Sequence, residues 1–167
     1  MLARHVGPEK FPAFIVERTG RMLRGNALAK VDEKGRLKLP ASFRSVIEPK
    51  YGNEFFVTSL RGDSARIYPM EVYAKMEGRL LEASGVKPAV TKLRTMLNYF
   101  GQTASMDQQG RILVHPLLRE SAALDGEVAV LGQQNFLEVW NRAQFEDGLR
   151  REPLTDEELM DLAGMGF

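Results

Sequence analysis

The chain has 167 residues, of which 44% are hydrophobic and 27% charged, a composition typical of one compact domain or two small fused ones. Its 23 lysines and arginines balance 22 aspartates and glutamates, so the net charge of +1 does not by itself indicate a nucleic-acid partner. The absence of cysteine excludes disulfides and thiolate chemistry, and no apolar run approaches the ~20 residues that span a bilayer. We therefore expect a cytoplasmic protein with no membrane anchor.

A duplicated pattern organises the chain. The segments Asn26–Arg44 (NALAKVDEKGRLKLPASFR) and Gly101–Arg119 (GQTASMDQQGRILVHPLLR) align without a gap at an offset of 75 residues, and five of the nineteen positions are identical. Recurrence of one pattern at a fixed separation is the signature of a repeated structural unit. The sequence therefore predicts two pseudo-equivalent halves.

Each half begins with the same predicted hairpin. A first strand ends at Asp32 or Asp107, and glycine stands fourth in the tight turn that follows, because a positive φ costs little only for glycine. A second strand then leads to a proline that opens a short helix. The turn glycines are Gly35 and Gly110, the second strands are predicted at Arg36–Leu39 and Arg111–Val114, and the prolines are Pro40 and Pro116.

Two further strands and a longer helix complete each half. The strands are predicted at Glu54–Leu60, Ala65–Tyr68, Glu127–Leu131 and Phe136–Trp140. Pro69 opens the longer helix of the first half, and Asn141 is a good N-cap for that of the second. Strands with attached helices predict a mostly β, α+β fold. Because each half is too small to bury a core alone, the two should pack or interlock as one small barrel.

The repeats divide the chain into five predicted segments. They are an N-terminal extension (1–21), a first repeat (22–83), a linker helix (84–98), a second repeat (99–145) and an acidic tail (146–167). Residues 1–21 have no counterpart in the second repeat and lack a signal-peptide cleavage site. They are either a true extension or follow an upstream start that is not used. Residues 141–167 carry three basic and seven acidic side chains, a net charge of −4.

Positive charge concentrates around the first hairpin. Residues 24–44 carry six basic and two acidic side chains, a net charge of +4. A two-stranded ribbon fits the major groove of DNA, arginine can bind guanine O6 and N7 together, and lysines can contact phosphates. This charge pattern predicts a DNA-binding hairpin. Its candidate contact residues are Arg24, Lys30, Lys34, Arg36 and Lys38.

The second hairpin is less basic but keeps its arginine. Gln109 and Arg111 occupy the positions of Lys34 and Arg36, and both can bind base edges. In each hairpin the aspartate lies four residues before the arginine, so Asp32 and Asp107 can bond the turn amides and orient the guanidinium. Arg44 and Arg119 each follow a predicted core position, which favours a structural role.

At these motifs the chain resembles the MraZ family, bacterial transcription regulators with two SpoVT/AbrB-type repeats. The resemblance covers about residues 22–145 and rests on MLRGNA, DEKGRLKLPASFR, DQQGRILVHPLLRESAAL and LGQQNFLEVW in that order. It implies a swapped-hairpin, double-psi-type barrel and ring-shaped homo-oligomers at the nucleoid. Such rings bind tandem G-rich boxes in the promoter of the division and cell-wall gene cluster and usually repress it. The family's DNA-contacting Asp-x-x-x-Arg motif falls here on Asp32 with Arg36 and on Asp107 with Arg111.

Three alternatives remain open from the sequence. The nearest is an AbrB-type antitoxin whose acidic tail binds a toxin, although such proteins generally have one hairpin motif. An enzyme is more distant, because His5 and His115 have no metal-ligand spacing and no catalytic motif is present. We therefore predict no cofactor, metal or catalytic residue. The third alternative is a structural ring that does not bind DNA.

Overall fold

The computed structural model describes residues 22–83, 85 and 87–167, so the predicted N-terminal extension lies outside the described residues. The strands are β1 (Asn26–Val31), β2 (Arg36–Lys38), β3 (Glu54–Thr58), β4 (Ala65–Pro69), β5 (Gln102–Ser105), β6 (Arg111–Leu113), β7 (Gly126–Gly132) and β8 (Leu137–Asn141). The helices are α1 (Ala41–Tyr51), α2 (Met70–Glu82), α3 (Pro88–Tyr99), α4 (Pro116–Ser121), α5 (Arg142–Arg151) and α6 (Asp156–Gly164). None of these helices is both long and apolar enough to cross a membrane.

The helix starts follow local chemistry. Asn141 caps α5 as predicted, with its side-chain oxygen accepting a hydrogen bond from the backbone N–H of Gln144 at 3.0 Å. Pro116 is the first residue of α4, whereas Pro40 and Pro69 directly precede α1 and α2 in extended conformation, with ψ of 139° at both. These two helices therefore begin one residue later than predicted, since a ψ near 140° lies outside the helical region.

All eight strands form one antiparallel sheet. The strand order is β5-β3-β4-β8-β7-β1-β2-β6. The two end strands, β5 and β6, are joined by the second hairpin, where the backbone N–H of Asp107 donates to the carbonyl of Arg111 at 3.0 Å. The sheet therefore nearly closes on itself. The predicted α+β barrel is confirmed.

The two repeats are interlocked rather than placed side by side. β1 of the first repeat pairs with β7 of the second, and β5 of the second pairs with β3 of the first. The remaining cross-repeat contacts join equivalent strands: β2 with β6, where Leu37 faces Ile112, and β4 with β8, where Arg66 faces Glu138. Equivalent residues thus face each other across an approximate two-fold axis, as a swapped-hairpin barrel requires.

The core lies inside this barrel. Leu37 and Ile112, which face each other at the two-fold axis, are both 0% exposed. Since side chains alternate between the two faces of a strand, the neighbours of these residues on β2 and β6 point outward. At this pair of strands the barrel thus buries one row of apolar side chains and presents the adjacent rows to solvent.

Candidate nucleic-acid interface

Both Asp-x-x-Gly-Arg turns adopt the same geometry. In the first, Gly35 N–H donates to the Asp32 carbonyl at 2.9 Å, and Asp32 N–H donates to the Arg36 carbonyl at 3.0 Å. Gly35 has a φ of +82°, so the hairpin is a tight turn followed by a left-handed residue. The second turn repeats these bonds, and Gly110 has a φ of +77°. The glycine spacing in the sequence is therefore required by the turn itself.

In the first turn the aspartate carboxylate bonds both the turn backbone and the arginine. Oδ1 of Asp32 accepts hydrogen bonds from the backbone N–H groups of Lys34 and Arg36, both at 2.9 Å. Oδ2 accepts from Nε of the Arg36 side chain at 2.8 Å. One carboxylate thus closes the turn and fixes the direction of the arginine.

The second turn has the same network. Oδ1 of Asp107 accepts from the N–H groups of Gln109 and Arg111 at 2.9 Å, and Oδ2 accepts from Nε of Arg111 at 2.7 Å. In both turns the carboxylate accepts a hydrogen bond from only one nitrogen of the guanidinium group, Nε. Within the described part of the chain, the two terminal nitrogens of the Arg36 and Arg111 guanidinium groups make no hydrogen bond. Each arginine therefore keeps the two-nitrogen edge that binds planar acceptor pairs.

The carboxylate pKa values reflect this network. The pKa of Asp32 is lowered from its ordinary value of 3.8, mainly by the hydrogen bond from the Arg36 backbone N–H and further by the Arg36 side chain. The pKa of Asp107 is lowered in the same way by Arg111. Hydrogen bonds to the ionised form favour that form, so both carboxylates stay charged at neutral pH and keep their arginines oriented.

Arg36 and Arg111 lie on one outward surface. On the β2–β6 pair, Arg36 faces Leu113 and Lys38 faces Arg111, while Leu37 points into the core. The side chains of Arg36 and Arg111 are 33% and 26% exposed, respectively. As diagonal neighbours in an antiparallel pair, these arginines are about 7–8 Å apart at the backbone. The turn tips lie at opposite ends of this pair, but the arginines share its outer face.

The remaining predicted contact residues divide into two groups. Lys34 and Gln109 are exposed at the turn tips, and Lys30 lies beside Lys38, because Val31 of β1 faces Leu37 of β2. Arg24 is not brought to this surface. It lies two residues before the start of β1, so the six residues of that strand, about 20 Å, separate it from the Asp32 turn. The outer face of the two hairpins, β1–β2 and β5–β6, together with their turns, is called the basic face below.

Arg44 and Arg119 support the turns reciprocally. A methyl group added at Gly35 would overlap the guanidinium of Arg119, and one added at Gly110 would lie 2.6 Å from Nη1 of Arg44. Each arginine therefore lies against the turn glycine of the other repeat. The sequence favours a structural role for this pair but does not reveal what each side chain contacts. The signal in the sequence was that both repeats have an arginine at this position.

The residues that the structure describes contain no group of three or more His, Asp or Glu side chains placed to hold a metal ion. His115 caps α4, with its Nδ1 accepting from the backbone N–H of Leu117 at 3.4 Å. That contact gives this histidine a local structural role.

Two interlocked repeats in one barrel, each contributing an Asp-x-x-Gly-Arg hairpin, define a two-repeat barrel protein that presents a pair of equivalent arginine hairpins. Comparison with known proteins identifies the particular family. The family model of the MraZ protein, described as antitoxin-like, matches residues 101–161. The chain is 45% identical over 146 residues to the transcriptional regulator MraZ of Acidobacterium capsulatum, an alignment that covers 87% of this chain and 100% of that protein.

Two further relatives bear the same name. The transcriptional regulator MraZ of Koribacter versatilis is 42% identical over 147 residues, which cover 87% of this chain and 100% of the relative. That of Syntrophobacter fumaroxidans is 33% identical over 148 residues, covering 86% and 96%, respectively. The chain therefore belongs to the MraZ family, which is a family of transcriptional regulators and not of enzymes.

Proposed function

We propose that this protein is a sequence-specific DNA-binding transcription regulator that contacts DNA through the basic face. The observation that carries the proposal is the pair Arg36 and Arg111. Both point outward on one surface, and each is bonded by an aspartate through Nε alone. The two terminal nitrogens that remain can bind O6 and N7 of a guanine, the commonest specific contact to DNA.

The spacing of the two arginines suits neighbouring bases. Their backbone separation of about 7–8 Å corresponds to roughly two base-pair steps of 3.4 Å. Two guanine-binding arginines whose backbones are this close would contact guanines only a few base pairs apart, within a short G-rich sequence. This supports the G-rich boxes implied by the family resemblance.

Sequence-independent affinity would come from the lysines. Lys30 and Lys38 lie in one row with Arg111 across β1, β2 and β6, because Val31, Leu37 and Ile112 form the adjacent inward row. Lys34 adds a further charge at a turn tip. Cations in such a row can contact successive phosphates and so set the register of the protein on the duplex.

We further infer a ring of subunits that acts at tandem boxes and represses its promoter at the nucleoid. Leu159, Met160, Met165 and Phe167 in and after α6 are between 48% and 86% exposed, and exposed apolar surface of this kind marks interaction sites. Several linked contacts on repeated boxes would raise the overall affinity steeply. A native mass equal to one subunit would contradict the ring.

A gel-shift titration tests the DNA-binding proposal. The probe is the DNA upstream of this protein's own gene, compared with random DNA of equal length. We expect the protein to prefer the upstream DNA. We also expect the logarithm of its affinity to fall linearly with the logarithm of the salt concentration, with a slope of about 0.9 per phosphate contact.

Losing one guanine contact of about 1–3 kcal/mol should make Arg36→Ala bind the specific probe about 5- to 150-fold more weakly.

Lys34→Ala, in the same turn as Arg36, is the matched control. Because a phosphate contact carries no sequence information, this variant should weaken binding to both probes alike. Equal losses on specific and random DNA for Arg36→Ala would disprove the assigned role of Arg36. A salt-independent affinity would instead favour a structural ring without DNA.

An antitoxin is the second candidate function. It is favoured by the antitoxin-like description of the matching family model, which extends to residue 161 within α6, and by the exposed apolar side chains of that helix. Co-purification of a small toxin that is lost on deleting residues 152–167, without loss of DNA binding, would support it.

A further inference from the structure

The two halves of the basic face are chemically unequal. Lys38 of the first repeat corresponds to Leu113 of the second, and Lys30 corresponds to Ser105. One half therefore presents two lysines, whereas the other presents a leucine and a serine whose Oγ donates to Glu54 at 2.6 Å. An approximate two-fold arrangement of strands thus carries an asymmetric set of contacts.

Leu113 has an unusual position for an exposed leucine. A single apolar side chain on a surface is ordinary. Leu113, however, is 51% exposed and lies directly opposite Arg36 in the β2–β6 register, with Arg111 two residues away on the same side of β6. An apolar group thus neighbours both of the arginines that the proposed function assigns to base recognition.

The distances on this surface favour a neighbouring base as the partner of Leu113. Directly opposite residues in an antiparallel pair have Cβ atoms about 4.5–5.5 Å apart. Successive bases are about 3.4 Å apart, so a leucine beside a guanine-binding arginine reaches the adjacent base or the next one. In the major groove, the one apolar group that a base presents is the 5-methyl of thymine.

We propose that Leu113 is a specificity-determining residue that packs against the 5-methyl group of a thymine within about two base pairs of the guanine bound by Arg36. The inference rests on the proposed DNA-binding function. It assigns different roles to the two halves of the basic face. The lysine half supplies phosphate contacts, and the leucine half distinguishes thymine from cytosine by the 5-methyl group of thymine.

Deoxyuridine substitution provides the test. Each thymine of the upstream DNA is replaced singly by deoxyuridine, which removes the 5-methyl group and leaves every hydrogen-bonding group in place. Burial of one methyl is worth about fourfold in affinity. We expect such a loss for the unmodified protein at one or two positions, and no loss at those positions for Leu113→Ala.

Two further variants sharpen the experiment. Leu113→Lys, which installs the residue type of the first repeat, should bind every probe more tightly, steepen the salt dependence by about one phosphate contact and lose the sensitivity to deoxyuridine. Leu81→Ala, which alters a 72%-exposed leucine on α2, should keep that sensitivity. Because Leu113 is exposed, its substitution should leave the unfolding midpoint unchanged.

The outcomes separate this inference from the function on which it rests. Failure of the unmodified protein to prefer the upstream DNA would overturn both. Preferential binding with no sensitivity to deoxyuridine, or with sensitivity that persists in Leu113→Ala, would overturn the role of Leu113 alone. A changed native mass for Leu113→Ala in the absence of methyl sensitivity would reassign Leu113 to contacts between subunits.

Discussion

At the scale of single residues, the smallest functional unit is an aspartate, a glycine and an arginine within five positions. The carboxylate of Asp32 bonds two backbone N–H groups and the Arg36 side chain, so the direction of the arginine is set before any ligand arrives. Ordering a side chain on binding costs about 0.5–1.5 kcal/mol, and a pre-oriented arginine avoids part of that cost. The same unit recurs at Asp107.

The carboxylate network makes a prediction about pH. The pKa of Asp32 should lie below 3.8 in the folded protein, so its stabilising effect is complete above that pH and is lost as the pH falls through the lowered pKa. In Arg36→Ala the pKa should rise but stay below 3.8, because the largest cause, the backbone N–H of residue 36, remains. Carbon-13 NMR titration of the aspartate carboxyl groups measures both values.

Asp107 serves as the internal control in that titration. Its pKa is lowered by Arg111 and should not change in Arg36→Ala. An Asp32 pKa at or above 3.8 in the unsubstituted protein would show that the turn network does not form in solution.

At the scale of elements, each hairpin depends on an arginine from the opposite repeat. Arg119 lies against Gly35, and Arg44, which also pairs with Glu48 at 2.9 Å, lies against Gly110. The turn glycines are thus constrained twice, by their positive φ and by the guanidinium that packs on them. Only a residue without a side chain satisfies both constraints.

A comparison of Gly35→Ala with Gly25→Ala separates these two constraints. Gly25 has a φ of +77°, but an added methyl group there meets nothing within 4 Å. We expect Gly25→Ala to lower the free energy of unfolding by about 1–2 kcal/mol, the cost of a left-handed alanine. Gly35→Ala should cost more because it also displaces Arg119. Urea denaturation measures both values.

The double variant Gly35→Ala/Arg119→Ala completes this comparison. Removing the guanidinium should recover part of the extra cost, since contacting residues couple by about 0.5–3 kcal/mol. Additive effects of the two substitutions would show that Arg119 does not pack on the turn in solution.

At the scale of the whole molecule, the interlocked sheet makes the repeats mutually dependent. β1 and β5 each pair with a strand of the other repeat, and the two-fold axis passes between Leu37 and Ile112 in the core. Neither repeat can complete its sheet alone. The barrel should therefore fold and unfold as one cooperative unit, and its two hairpins cannot be positioned independently.

Fragments test this dependence. We expect segments 22–83 and 87–167, expressed separately, to lack cooperative unfolding by circular dichroism and to recover it when mixed.

In the intact chain, Leu37→Ala should lower the free energy of unfolding by about 2–5 kcal/mol, because it leaves a cavity at a fully buried position. Hydrogen exchange should then accelerate in both repeats together. Acceleration confined to the first repeat would contradict the interlocked fold.

One strand end was predicted wrongly although its cause is local. The first strand of the β3–β4 pair was predicted to reach Leu60 but ends at Thr58, because the side chain of Ser59 accepts a hydrogen bond from Gly62 N–H at 2.8 Å and starts the loop. A serine that bonds a nearby backbone group favours a turn over a strand. Hydrophobic patterning alone did not contain that information.

By itself, the sequence determined the two hairpin turns and the orientation of their arginines, because every contact involved spans four residues or fewer. It also determined the α+β class, through the alternation of apolar and polar positions. Only the tertiary structure decided which strands of the two repeats pair, that Arg44 and Arg119 support the opposite turns, and that Leu113 lies beside Arg36. Such contacts join residues far apart in the chain, and they depend on how the whole core packs rather than on any local pattern.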